Sequence, residues 1–449
     1  MKKISILVLI IIVLFTACSK GIFLNFEKHP RGENPFDPMG PTNPDDENAG
    51  PWLFMVYLDA ANNLEAAGVA DLNEMAAGIT GALDIKIVVL LDRVDGFSTA
   101  DGDWKDTRLF YIDKDNTTPV RKAALINGVN ITASGASGEL NMGDQNTLKD
   151  FIKYCITTYP AQKYLLDIWN HGGGWRSPEE EEDLNNIRKP ICWDDESTVG
   201  GQHDTLFMNE VQQAIKDALN ATGVPRLDII YMDACLMQMI EVCYEMQDQC
   251  QYLVASEETV PGNGGDYVDI LARFKDIQSQ GKHTPYRFAY EIVASYRNQY
   301  YSTGDTTLSA VDMSKVGGLI SALNTFGQDL KTKNPSTLET IRNKTKDFTY
   351  PDQADLYHFA QLCLTDVPGG VAGASEVTTA IANMMVKEYH HNDLGNCHGM
   401  SIYFPKDKSK TDSFYWNNNI TLYDGSNGDL DFDNFDNKWV QFIQWWKDQ

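Results

Sequence analysis

The chain has 449 residues, 43% of them hydrophobic, enough to bury the core of one large domain or two ordinary ones. Against 63 acidic side chains stand 37 basic ones, a formal charge of −26. Such a balance repels phosphate backbones and sets nucleic acid aside as a partner, while most of the acidic surface serves solubility.

Lys2 and Lys3 precede an apolar run from Ile4 to Leu14 that is broken only by Ser5. The run is short for a bilayer span and fits the core of a signal peptide. It ends in Phe15-Thr16-Ala17-Cys18, which resembles a bacterial lipobox with Phe15 where Leu is usual. Residues 1–18 are therefore expected to be a lipoprotein signal peptide, exporting the protein and leaving it lipid-anchored at Cys18. Each acyl CH₂ buried in the membrane contributes roughly 0.8 kcal/mol to that anchor. Residues 19–50 carry Pro30, Pro35, Pro38, Pro41 and Pro44 with almost no apolar periodicity, a composition that reads as a disordered tether. With Cys18 set apart, seven of the eight cysteines remain. An odd number in an oxidising compartment leaves at least one thiol unpaired unless it bridges another chain.

The folded part is expected from Pro51. Leu53 to Leu58, Ile85 to Leu91, Tyr164 to Trp169, Leu227 to Met232 and Tyr252 to Ala255 are apolar at most positions. That pattern predicts strands covered on both faces, as in parallel sheets. Helical patterns lie between them at Asn62 to Ala77, Thr147 to Thr158, Asn209 to Leu219 and Leu236 to Met246, giving the alternation of a layered α/β domain. Beyond about residue 280 follow helical patterns near Tyr286 to Tyr300 and Val316 to Leu330, then a strand-like run ending at Phe404.

In such sheets, ligands sit beyond the carboxyl ends of the strands. Two ends carry chemistry: Asn170-His171-Gly172-Gly173-Gly174-Trp175 and Asp233-Ala234-Cys235. A thiol becomes a potent nucleophile beside a base. Placed at the start of the predicted helix, Cys235 would also feel a dipole that favours thiolate. The glycines allow close backbone approach, and the Gly172 N–H is a candidate oxyanion donor. Alone, each feature has a plainer reading, for a lone cysteine usually packs as a small hydrophobe. Together, at matching strand ends, they point to a Cys–His pair.

The HGGGW and DAC segments, each closing a buried strand, resemble the clostripain family of caspase-like cysteine peptidases. Trp52-Leu-Phe-Met-Val-Tyr-Leu58 leading to Asn62-Asn63-Leu64-Glu65 is similar to the family's opening strand and polar turn. Leu91-Asp92-Arg93 with Trp104 and Thr107-Arg108 resembles its second block, and Ser256-Glu257, Pro261-Gly262 and Asp266-Tyr267 the segment after the nucleophile. Ala61 and Gly265 depart from the pattern, standing where an Asp and an aromatic are common.

The resemblance implies a caspase-like α/β/α sandwich with a mainly parallel central sheet over residues 51–405, and 406–449 as a C-terminal extension packed on it. It implies an endopeptidase cutting protein or peptide substrates after Arg or Lys, with His171 as base and Cys235 as nucleophile. Backbone N–H groups of Gly172 and Cys235 would form the oxyanion site. Asp233 would hold the basic P1 side chain, with Asp266 as a second acidic group; the plainer role for Asp233 is capping the following helix. No cofactor is required, but clostripain is associated with calcium, and Asp429, Asp431 and Asp433 alternate as a hard-cation set without EF-hand spacing. Relatives are often cut between the His and Cys strands. Here the acidic loop from Ser177 to Pro190 offers Arg188, then Arg176, for self-cleavage. The alternatives are a non-catalytic lipoprotein that binds cationic peptides, or a transpeptidase using the same acyl-enzyme.

Overall fold

Strands form here because their side chains have apolar cover on both sides. In the computed structural model, residues 49–112, 138–175, 191–199, 202–416, 430–433 and 437–449 are described. The strands in chain order are β1 (Trp52–Ala60), β2 (Ile85–Arg93), β3 (Arg108–Ile112), β4 (Lys163–Trp169), β5 (Ile191–Val199) and β6 (Gln202–Leu206). There follow β7 (Leu227–Asp233), β8 (Cys250–Ala255), β9 (Thr307–Asp312), β10 (Gln353–Asp355), β11 (Met385–His390) and β12 (Ser401–Tyr403). Eight of them make one sheet in the order β11-β9-β8-β7-β4-β1-β2-β3. The inner strands β8, β7, β4, β1 and β2 run parallel, and the edges are antiparallel.

The continuous apolarity of β1 resolves into two stripes, because successive side chains point to opposite faces. Phe54, Val56 and Leu58 pack with the helices Glu65–Gly78, Tyr267–Ser279 and Pro285–Tyr300. Leu53, Met55 and Tyr57 join the core formed with Gln145–Thr158, Met208–Thr222, Val316–Leu330 and Leu356–Thr365. The result is the three-layer α/β/α sandwich expected from the sequence.

The last helix, Lys438–Lys447, is capped by Asn437, whose side-chain oxygen accepts from the N–H groups of Trp439 and Val440. It buries Trp439 and Trp446, whose indoles donate to the carbonyls of Tyr403 (3.2 Å) and Pro405 (3.1 Å). Among the described residues no disulfide forms, and all seven cysteines there are buried thiols. Among the described residues, too, no helix is long and apolar enough to cross a membrane.

Candidate active site

β4 and β7 are neighbours, and Trp169 pairs with Asp233. His171 and Cys235 each stand two residues beyond that pair. β4 and β7 end at that pair, so both residues follow the carboxyl ends of adjacent strands, which lie about 4.8 Å apart. The backbones touch: a Cβ on Gly172 would lie 2.4 Å from the Cys235 carbonyl oxygen. Glycine at 172 is thus required by the close approach of the Cys235 backbone. Gly172 also forms an isolated antiparallel bridge with Ile191.

The helix expected at Cys235 does not start there. Cys235 lies in a turn, Leu236 takes a left-handed φ of 66°, and the helix Ile240–Met246 begins only after Met239. The helix-dipole argument for a thiolate therefore fails. The apolar spacing from Leu236 onward looked helical, but tertiary pairing takes these backbone groups: Leu236 N–H donates to the Glu258 carbonyl and Gln238 N–H to that of Ser256. What supports the sulfur instead is the Val260 N–H, which donates to Cys235 Sγ at 3.2 Å. The carbonyl of the same residue accepts from the Cys235 thiol at 3.8 Å.

His171 Nε2 lies 2.8 Å from Asn63 Oδ1. With that oxygen accepting, Nε2 carries the ring hydrogen and Nδ1 is left as the basic nitrogen. The turn that presents Asn63 is held by its neighbour, since Asn62 Nδ2 donates to the Trp193 carbonyl (2.7 Å) and to Asn170 Oδ1 (3.0 Å). Asn63 belongs to the polar turn noted after β1, yet nothing in its sequence context marks it as a partner of His171.

Asp233 is buried beside this pair. Its Oδ2 accepts from the Gly265 N–H (2.8 Å) and the Tyr267 hydroxyl (3.0 Å). It does not cap a following helix. A Cβ on Gly264 would stand 2.7 Å from that oxygen, and one on Gly265 2.9 Å from the Tyr231 hydroxyl. The missing side chain at Gly265 is therefore filled by Tyr231. Asp266 caps the helix Tyr267–Ser279 by accepting from the Asp269 N–H at 2.9 Å. Further carboxylates, not singled out from the sequence, gather here. The Tyr267 hydroxyl also lies 2.7 Å from Asp167 Oδ2, while Asp71 accepts from Trp169 Nε1 (2.8 Å) and Glu74 from the Tyr267 N–H (3.1 Å). Burial, and then the charge of Asp233, pushes the carboxyls of Asp71 and Asp167 well above the usual range. Burial raises Asp233 only to about 6, because Gly265, Tyr267 and Tyr231 hydrogen-bond to it. Tyr300 is raised by burial and then by the charges of Asp233, Asp71, Glu74 and Asp266.

The polar turn after β1 and the end of β2 meet through a buried ion pair. Arg93 Nε donates to Glu65 Oε1 at 2.7 Å in a fully buried ion pair, and its guanidinium lies 4.7 Å from the centre of the Trp104 ring. Their role is structural, since removing one partner of such a pair leaves a buried charge. Cys18, Arg176, Arg188 and Asp429 lie outside the described residues. Asp431 accepts from Gln212 Nε2 at 3.0 Å. Among the described residues no group of three or more His, Cys, Asp or Glu side chains is placed to hold a metal ion.

The clostripain family model matches residues 56–446. Clostripain of Hathewaya histolytica is 30% identical over 322 residues, which cover 64% of this chain and 58% of that protein. The chain thus spans less than two thirds of that relative. A secreted C11 cysteine protease from Bacteroides thetaiotaomicron, solved with an irreversible peptide inhibitor, aligns with a TM-score of 0.60 at 17% identity, over 88% of this chain and 99% of that one. An inactive zymogen C11 protease from Parabacteroides distasonis aligns with a TM-score of 0.58 at 16% identity, over 80% and 93%. At these identities the structural likeness is one of fold, and it is the caspase-like fold. With the family model spanning nearly the whole folded part, the chain belongs to the clostripain family of cysteine peptidases.

Proposed function

We propose that this protein is an endopeptidase that cleaves after Arg or Lys through an acyl-enzyme on Cys235, with His171 as its base. The observation that carries the reading is that His171 and Cys235 follow the paired ends of adjacent strands with the Gly172 and Cys235 backbones in close approach, beside the buried carboxyls of Asp233, Asp167 and Asp71. His171 Nδ1 takes the thiol proton, and the thiolate attacks the scissile carbonyl carbon. The N–H groups of Gly172 and Cys235 steady the oxyanion. The imidazolium returns its proton to the leaving amine as the C–N bond breaks. Water then adds to the thioester, giving a proton to His171, and the carboxylic product leaves as the thiol is restored. Asp233 receives the P1 cation, with Asp266 at the entrance as a second acidic group. No cofactor enters these steps.

The test is turnover of short peptides that differ only at P1. Arg and Lys should be cut and neutral isosteres poorly. An enzyme that prefers Asp, Asn or an aromatic at P1 would end this reading of the pocket.

Asn63 orients the imidazole in this scheme and touches no substrate atom. Asn63→Ala is expected to lower kcat roughly ten- to hundredfold, part of the 10²–10⁴ that acid–base catalysis supplies. KM should barely change, and Asn63→Gln or Asn63→Asp should restore some activity. Equal loss through KM alone would show a purely structural role.

Export and lipid anchoring through Cys18 complete the proposal, on the strength of the signal-like N-terminus. Labelling with a clickable fatty acid should be lost in Cys18→Ser; a label that persists would rule out that anchor.

A further inference from the structure

The Tyr267 hydroxyl lies 3.0 Å from Asp233 Oδ2 and 2.7 Å from Asp167 Oδ2. A phenol has one hydrogen and donates it to one of these oxygens. The other contact is attractive only if that carboxyl keeps its own proton and donates to the phenol oxygen. Two ionised carboxylates would instead leave a lone pair facing a lone pair in a buried site.

Asp167 is the member placed to keep the proton. It sits within β4, wholly buried, and its Oδ1 has no well-aligned hydrogen-bond partner. Burial and the charge of Asp233 push its carboxyl well above the usual range, and the Tyr267 hydroxyl and the Asp233 N–H offset only part of this. Asp233 is nearer the strand end and has the Gly265 N–H as a further donor. The surroundings oppose a second charge at Asp167. Asp71 and Glu74 bring further carboxyls from the helix Glu65–Gly78. Burial, then Asp233 and Asp167, raise Tyr231 on β7, and burial, Asp59 and Asp167 raise the Cys192 thiol on β5, while burial first keeps Tyr296 and Tyr300 neutral phenols.

We propose that Asp167 works as a neutral carboxylic acid that donates to Tyr267 Oη, which in turn donates to Asp233, and that this relay holds Asp233 ionised for the basic P1 side chain. The inference rests on the basic-P1 reading above. The pair then carries one negative charge, matched to one guanidinium or ammonium, and no proton is gained or lost when the substrate binds. Asp167 is a positioning residue, for it reaches the substrate only through Tyr267.

The test compares kcat and KM for peptides with Arg or citrulline at P1, across the pH range, in wild type, Asp167→Leu, Asp167→Asn and Tyr267→Phe. Losing the donor in Asp167→Leu, or the link in Tyr267→Phe, should raise KM for the Arg peptide by at least about tenfold, the scale of one hydrogen bond to a charge. The acidic limb of kcat/KM should move to higher pH, with kcat on the citrulline peptide little changed. Asp167→Asn is neutral and keeps an N–H donor, so it should rescue most of the loss. If it instead moves the limb to lower pH, Asp167 was charged and the relay is wrong; so too if Tyr267→Phe has no effect. Should Asp167→Leu not fold, the infrared difference spectrum of wild type minus Asp167→Asn at neutral pH decides. A protonated-carboxyl C=O stretch supports the relay and its absence overturns it. A wild type without preference for basic P1 would defeat the pocket reading, while the infrared band would still report on Asp167 separately.

Discussion

Cys235→Ala is expected to abolish amide hydrolysis, while Cys155→Ala, Cys243→Ala and Cys250→Ala each keep most of it. The loss in kcat should be on the order of 10⁶, the scale seen when a nucleophile that works as a unit with its base is removed. All four of these thiols are buried, and position separates them. Burial pushes Cys155 and Cys243 well above the ordinary thiol range and Cys250 up to about 12, which leaves them inert near neutral pH. Cys235 alone of these four follows a strand end paired with the one that precedes His171, and a backbone N–H from Val260 points at its sulfur. The measurement is hydrolysis of an Arg-P1 peptide amide, with the intact fold of each variant checked by its unfolding transition. The same comparison reads maturation: a chain cut after Arg188 or Arg176 in wild type but intact in Cys235→Ala is the result expected of self-cleavage. Substantial hydrolysis by the Cys235→Ala protein would remove the proposed nucleophile, whereas an active wild type that stays one chain would remove only the self-cleavage.

Asp233→Asn should cost roughly 2–5 kcal/mol in kcat/KM for Arg and Lys substrates, the range for losing one partner of a buried charge pair. That is a fall of about thirtyfold to several thousandfold, since each 1.4 kcal/mol is a factor of ten. Asparagine preserves the shape between Gly265 and Tyr267, so a loss confined to basic substrates would report the charge. The sign of the pH effect follows from burial. The carboxyl of Asp233 is raised to about 6, and only its ionised form attracts a cation. For Arg and Lys substrates kcat/KM should therefore climb as pH rises through about 6 and fall away below it. A neutral-P1 substrate serves as the reference for titration of the Cys–His pair, which both substrates share. The limb particular to basic substrates should vanish in Asp233→Asn; if it persists with an unchanged preference for Arg, the cation is held elsewhere, with Asp266 and Glu74 the next groups to change.

Much of this architecture is written in local sequence. Runs such as Ile85 to Leu91 are apolar at nearly every position because both faces of an inner strand are covered, and they appear as β2 and its neighbours. His171 and Cys235 were legible for the same reason: each closes such a run, and the ends of parallel strands share one edge of the sheet. The tertiary structure decided what stands beside them. Asn63 meets His171 only because β1 is inserted next to β4, an order that no spacing along the chain encodes. Leu236 to Met239 read as helix until their backbone groups were taken by the segment after β8 and by Ser401. Asp167 is a polar residue inside the apolar run of β4. It gains a chemical role from Tyr267, a hundred positions away, whose single hydroxyl hydrogen must be shared between two buried carboxyls. Local periodicity follows from which face of the backbone is covered, and that each residue carries in itself. A hydrogen bond across the sheet depends on strand order and on the exclusion of water, and these exist only once the whole chain has packed.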